Sequence, residues 1–271
     1  MSGAGAIDSG TAVLLADVGN TRIKLATTLP GGAGRLPTLA RRQDLASRDF
    51  RPEHLQRWLA AAAPGAAVLL VAAVHQTAAV RLEAAVAEHA ATRRHPLRQR
   101  RVGRADPPIE VAVDEPDRVG IDRLAGAAAA AVIKPADRPA ILVDCGTATT
   151  VDMLSVDGRF LGGAILPGPV LLARALAEGT SRLPAVAALD QAPPPAMPGR
   201  STEEAIAAGI GWGMRGAVAR LVAEARASLA DPVVILTGGA AGVVRDVLPG
   251  SIEVPDLVLA GIALARHVRG L

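Results

Sequence analysis

Three aspartates and one lysine stand in this chain where phosphate chemistry would use them. The stretch ADVGNTRIKLA, Ala16–Ala26, sets an acid (Asp17), a glycine (Gly19), two small polar residues (Asn20, Thr21) and a lysine (Lys24) directly after an apolar run. Lysine is scarce elsewhere: of 29 basic residues only Lys24 and Lys134 are lysines. About half a chain later DCGTATT, Asp144–Thr150, repeats the acid, the glycine and the hydroxyls. A tight turn at Gly19 or Gly146 leaves backbone N–H groups uncovered by a side chain, which suits an anionic phosphate. Thr21 and Thr147 add hydroxyl donors, Lys24 adds a compact positive charge, and Asp17 and Asp144 are carboxylates of the kind that hold hard cations. Either aspartate alone reads equally well as a turn residue. Two copies at half-chain spacing favour a phosphate cleft in which they face each other.

Asp122, in GIDRLAG, has two readings. At a helix start an acid caps free N–H groups and complements the dipole. The same carboxylate could serve as the base that takes a hydroxyl proton during phosphoryl transfer, a contribution of ~10²- to 10⁴-fold. Arg123 beside it is a planar donor for a carboxylate or phosphate. At LTGGA, Leu236–Ala240, Gly238 and Gly239 either let the backbone approach a ring or ribose or merely let strand and helix pack.

The elements that must carry these residues follow from periodicity. TAVLLADVG reads as a buried strand, and TRIKLATTL alternates as a half-buried one, so the glycine turn closes a hairpin and does not open a helix. That excludes the P-loop and the dinucleotide fingerprint, both of which need a glycine turn feeding a helix. Helices are expected at Pro52–Ala63 and Thr77–Arg93 around a strand at Ala67–Val74. The alanines after Gly120 favour another helix. PAILVDCGTATTVDMLSV repeats strand, Asp-x-Gly turn, strand. GRFLGGAILPGPVLLARALAEGT predicts a strand, a turn at Pro167 and Gly168, and a helix. Ser201 with Glu204 forms a capping box ahead of a long helix. PVVILTGGAAGVVRDVL predicts strand, glycine turn and helix, and a last helix starts at Pro255 and Asp256 and ends near Gly270. Two halves that begin alike indicate a duplicated α/β domain, with the boundary placed at 118/119, giving domains 11–118 and 119–271 and mixed sheets covered by helices.

Composition narrows the partners. Half of the 271 residues are apolar, enough for a substantial core, and the formal charge is only +3. Nucleic-acid binding is not indicated, and the basic run Thr92–Arg104 reads first as a solvated connection, second as a phosphate patch. Cys145, the single cysteine, has no base near it in sequence and reads as a buried thiol in a reducing compartment. His54, His75, His89, His95 and His267 lack metal-ligand spacing, which argues against zinc. The N-terminus has neither a basic n-region nor an apolar h-region, and the apolar stretch Leu59–Val74 is broken by Pro64 and Gly65. The expectation is a cytoplasmic protein without a membrane span.

Taken in order, Asp17-Val-Gly-Asn-Thr-Arg-Ile-Lys24, Gly120-Ile-Asp-Arg123, Asp144 to Asp152, Gly162 to Gly168, Ser201 to Ile206 and Thr237-Gly-Gly239 resemble the signature of the type III pantothenate kinases, over nearly the whole chain. The resemblance implies two RNase H-like (actin-like ATPase) domains with the active site in the cleft between them, and ATP-dependent phosphorylation of pantothenate, the first step of coenzyme A biosynthesis. It implies that Asp17, Val18, Gly19, Asn20, Thr21, Arg22, Ile23 and Lys24 hold the ATP phosphates, with Asp17 on magnesium through water, and that Thr147 also contacts ATP. Asp144 would bind a monovalent cation, K⁺ or NH₄⁺. Gly120, Ile121, Asp122 and Arg123 would bind pantothenate, with Asp122 the general base, and Thr202 would also touch it. A homodimer is implied. The sequence departs from the family where a tyrosine usually stands seven residues before the motif glycine: here the residue is Val113. That departure is what a non-catalytic, nucleotide-binding accessory or regulatory protein of the same fold would account for, whereas Lys24, Asp122 and Asp144 together fit an enzyme. A kinase of the same superfamily acting on another small hydroxyl compound is the third reading.

Overall fold

The computed structural model describes residues 11–29, 35–187, 189 and 194–265. The first ten residues and the expected end of the last helix, with His267 and Gly270, lie outside the described residues. The chain forms two compact units: one of residues up to Glu110, Asp114–Ile133 and Leu257 onward, the other of Val111–Val113 and Lys134–Asp256.

In the first unit β1 (Ala12–Val18), β2 (Arg22–Thr28), β3 (Leu39–Ala46), β4 (Ala67–Ala73) and β5 (Leu97–Arg101) form one sheet in the order β3-β2-β1-β4-β5. β1 pairs antiparallel with β2 and parallel with β4, and β4 runs parallel to β5. Both faces of β1 are buried, as its apolar run Ala12–Ala16 requires. Leu14, Ala16 and Val18 pack with α1 (Pro52–Ala62) and α2 (Gln76–Ala91), while Val13 and Leu15 pack with α3 (Ile121–Ile133) and α6 (Leu257–Leu264).

In the second unit β6 (Ala140–Cys145), β7 (Ala148–Leu154), β8 (Phe160–Pro167), β9 (Val233–Thr237) and β10 (Ile252–Glu253) take the order β8-β7-β6-β9-β10, with the same sequence of antiparallel and parallel pairings. Ile141, Val143 and Cys145 face α4 (Pro169–Gly179) and α5 (Thr202–Ser228). Each unit is thus an RNase H-like mixed sheet flanked by helices, and the duplication read from the two Asp-Gly turns extends to the whole strand topology.

Three expectations need correction, and one strand goes unread. The division does not fall at 118/119, because the alanine face of α3 and the nearly all-apolar α6 can be buried only together against the first sheet; Gly261 sits so close that a Cβ there would lie 1.8 Å from the Ala125 carbonyl. The segment after β9 is two single-turn 3₁₀ stretches, Ala241–Val243 and Arg245–Val247, and not a helix. Gly242 and adjacent β-branched valines propagate a helix poorly, and Pro249 stops it. Part of the run Thr92–Arg104 is an edge strand, β5, whose Arg101 pairs with Glu83 at 2.5 Å and Arg100 with Asp106 at 2.8 Å. β3 is likewise an edge strand that the sequence reading passes over. Charge-rich edges lack the apolar alternation on which strands are recognised.

Candidate active site

The first hairpin is fixed from both sides. Gly19 N–H donates to the Arg22 carbonyl at 3.0 Å, closing the turn, and a Cβ at Gly19 would stand 3.1 Å from that oxygen. Ser47, buried just after β3, donates its hydroxyl to the Gly19 carbonyl at 2.7 Å and its N–H to the Thr21 carbonyl at 3.0 Å. From the other side Val74 and His75, just after β4, both direct N–H groups at the Val18 carbonyl, at 3.1 and 3.3 Å. The carbonyls of Val18, Gly19 and Thr21, which would repel a phosphate, are therefore all engaged by the scaffold.

The second hairpin is held by the same construction. Gly168, at the β8–α4 junction, donates to the Thr147 carbonyl at 2.9 Å, and Ala240, after β9, donates to the Cys145 carbonyl at 2.8 Å. Thr147 thus answers to Thr21 and Cys145 to Val18. Glycine is required at Gly168, where a Cβ would come within 2.1 Å of the Gly146 carbonyl. Gly238 has φ +97°, and a Cβ there would lie 2.3 Å from the Cys145 carbonyl and 2.5 Å from Asp144 Oδ1. The packing role of Gly238 is thereby explained from the geometry alone.

Charges are arranged by strand register. Asp17 is buried, and its antiparallel partner is Lys24, whose own partner on β3 is Asp44. The alternation of acid, base and acid runs along one face of the sheet. It is the face that α6 and α3 cover together: Ala26 and Ala72, in line with Lys24 and Asp17, belong to the same apolar cluster as Ile121, Ala125, Leu259 and Ile262, with α6 lying against β1, β2 and β4 and α3 against β4 and α6. Asp122, second residue of α3, therefore begins on the side of the sheet that carries Asp17 and Lys24. Its Oδ1 accepts the Arg123 N–H at 2.9 Å, and Leu124 N–H donates to the Gly120 carbonyl at 3.1 Å. In the second hairpin the Lys24 position is taken by Thr150, opposite Asp144, with Thr237 as Asp144's partner on β9. The two hairpins are alike in backbone and unlike in charge.

Other expected residues fall as follows. Ser201 caps α5 by accepting from Glu204 N–H at 3.1 Å, while Glu204 accepts from Arg200 N–H at 2.6 Å, so the box closes on the residue before the cap. Thr202 is the first residue of α5. Val111 bridges Phe160 of β8, and Val113 lies against Gly162, where a Cβ would be 3.4 Å from Val113 Cγ1. Cys145 is buried, and its thiol is pushed up to about 12 by burial and by the neighbouring Asp144 carboxylate. It is protonated at neutral pH, as a buried structural thiol should be. Among the described residues no three His, Cys, Asp or Glu side chains cluster as a metal site, and no helix is long and apolar enough to cross a membrane. Sequence reasoning missed Ser47 and His75. A small polar residue directly after a charged strand carries no signal until the strand's partner is known.

Duplicated mixed sheets of this order, each ending in a clamped Asp-x-Gly hairpin, are the arrangement of the two-domain, actin-like fold. The model of the type III pantothenate kinase family matches residues 13–224. The type III pantothenate kinase of Halorhodospira halophila is 37% identical over 259 residues, covering 94% of this chain and 98% of that one. That of Rhodopirellula baltica is 42% identical over 170 residues, 60% of this chain and 59% of the relative. Among solved structures, a conserved putative Baf family transcriptional activator from Campylobacter jejuni has the same fold, with TM-score 0.55 and 17% identity over 93% of this chain and 96% of that one. The chain belongs to the type III pantothenate kinase family. It is a kinase.

Proposed function

We propose that the chain transfers the terminal phosphoryl group of ATP to the primary hydroxyl of pantothenate, with Asp122 as the base. The observation that carries this reading is the placement of Asp122 at the start of α3, a helix on the side of the sheet that also carries Asp17 and its strand partner Lys24. The uncovered hairpin from Asp17 to Lys24 holds the phosphates, its N–H groups and the Thr21 hydroxyl donating while Lys24 balances charge. Thr147 contributes in the same way from the second hairpin. Asp122 accepts the proton of the attacking hydroxyl, Gly120 to Arg123 bind the substrate, and Thr202 adds a further substrate contact.

Two ions fit the donors present. Magnesium is commonly held by one or two carboxylates together with water and substrate phosphates, so the single buried carboxylate of Asp17 suits it. It neutralises phosphate charge when bound. Asp144, with Thr150 and Thr237 as register partners, offers the all-oxygen surroundings that a potassium or ammonium ion takes.

A homodimer belongs to the same proposal. An apolar groove of about 650 Å³ runs over α4 and α5, lined by Leu172, Leu176, Ile206, Ile210 and Met214, and Thr202 lines it too. A second copy covering this groove would bring the substrate contact at Thr202 to the subunit interface. With a reducing interior favoured by the lone cysteine, a cytoplasmic location completes the reading. ADP release with ATP and magnesium tests it: turnover should require pantothenate and rise with potassium. ATP hydrolysis indifferent to pantothenate would refute it.

A further inference from the structure

Arg104 is an exposed loop arginine, a type of residue that ordinarily leaves its guanidinium in solvent. Here its Nε donates to the carbonyl of Val119 at 2.7 Å, directly before Gly120 of the Gly-Ile-Asp-Arg stretch. The loop that presents it is built around a carboxylate. Asp106, itself buried, accepts Gly103 N–H at 2.7 Å through Oδ2 and Arg100 Nη2 at 2.8 Å through Oδ1, while its own N–H donates to the Gly103 carbonyl at 3.1 Å. Residues 103–106 therefore form a closed polar turn whose exposed product is Arg104. Val119 is buried and further fixed by its N–H on the Pro116 carbonyl at 3.3 Å.

Pinning Nε leaves the two terminal nitrogens of the guanidinium, and Val119 is the polar partner of the Arg104 side chain among the described residues. Arg118, one residue from Val119, is already committed to Glu115 at 2.9 Å. A guanidinium held by Nε presents a preorganised fork, the geometry that binds a carboxylate through two parallel hydrogen bonds. Pantothenate carries one carboxylate, at the end away from the hydroxyl that is phosphorylated.

We propose that Arg104 determines substrate specificity, its terminal nitrogens binding the carboxylate of pantothenate while Nε ties it to the peptide that opens α3. The proposal rests on the pantothenate kinase reading. Asp106 and Arg100 act through Arg104 as positioning residues.

The test compares pantothenate with pantothenol, in which CH₂OH replaces the carboxylate, on the full chain and on Arg104→Gln and Arg104→Lys. Loss of a charge-assisted pair predicts a KM for pantothenate raised roughly 10- to 100-fold in Arg104→Gln, with kcat within about twofold. The KM for pantothenol should stay where it was, and Arg104→Lys should recover part of the loss. Equal KM increases for the two compounds, or a loss confined to kcat, would show that Arg104 only holds Val119 in place and would overturn the assignment, as would an unchanged KM for pantothenate. Failure of the wild-type chain to turn over either compound would instead overturn the kinase reading on which the assignment stands.

Discussion

The hydroxyl of Ser47 donates to the carbonyl of Gly19 at 2.7 Å, so a residue outside the hairpin holds the turn proposed to bind phosphate. Its N–H to Thr21 at 3.0 Å has a counterpart at 2.9 Å between Gly168 and Thr147 in the second unit. Backbone bonds recur in both copies, whereas the Ser47 side-chain bond belongs to the first. Ser47→Ala should therefore loosen one hairpin only. A lost buried hydrogen bond costs about 1 kcal/mol. The expected outcome is a KM for ATP raised several-fold, with the KM for pantothenate unchanged, measured by initial rates.

Gly238 holds no catalytic group yet should be among the least replaceable positions. With φ +97° and Asp144 Oδ1 2.5 Å from any Cβ, an alanine must push away either that carboxylate or the Cys145 carbonyl. Gly238→Ala is expected to cost about 1–3 kcal/mol of stability. If Asp144 holds the monovalent cation, the variant's potassium activation curve should also shift to higher concentration. Thermal unfolding and a potassium titration read the two effects separately.

The Cys145 thiol, pushed up to about 12 by burial and the Asp144 charge, should be inert in the folded protein. A disulfide reagent at pH 8 should label no thiol in native protein and one per chain after denaturation. Fast labelling of the native protein would show that β6 is open to solvent at its end.

His89, near the end of α2, is held below its ordinary value of 6.5 by burial and then by the nearby Arg93 charge. The folded state prefers the neutral ring, so the unfolded chain binds the proton more readily. The contribution to stability is fully present above pH 6.5 and is lost as pH falls from there through the lower folded value. Denaturant unfolding from pH 7.5 to 5 should show a fall in stability that His89→Gln reduces.

Much of this architecture is legible in the residues. Uninterrupted apolar runs at Val13–Ala16 and Ala140–Val143 mark buried central strands, and the Asp-x-Gly turns mark the hairpins between them and their neighbours. What the chain does not declare locally is where α3 and α6 go. Their apolar faces identify them as helices, but only the sheet they cover decides that they join the first unit, and that requires contacts between residues more than a hundred positions apart. The edge strands β3 and β5 hide for a different reason, since their arginines face solvent and discourage pairing with another chain, at the expense of a strand pattern. Asp17, Lys24, Asp122 and Asp144 could be named from type and spacing. Ser47, His75 and Arg104 could not, because each acts on a backbone carbonyl distant in sequence and leaves no motif.

The most direct test of the central claim is the rate of pantothenate-dependent ADP release by Asp122→Asn beside the unaltered chain, at saturating ATP and magnesium. The substitution keeps the size and helix-capping capacity of the side chain while removing its basicity. Turnover should fall by ~10²- to 10⁴-fold, with ATP binding retained. Full turnover in the variant would contradict the account, because the carboxylate at the start of α3 would then be a helix cap and nothing more.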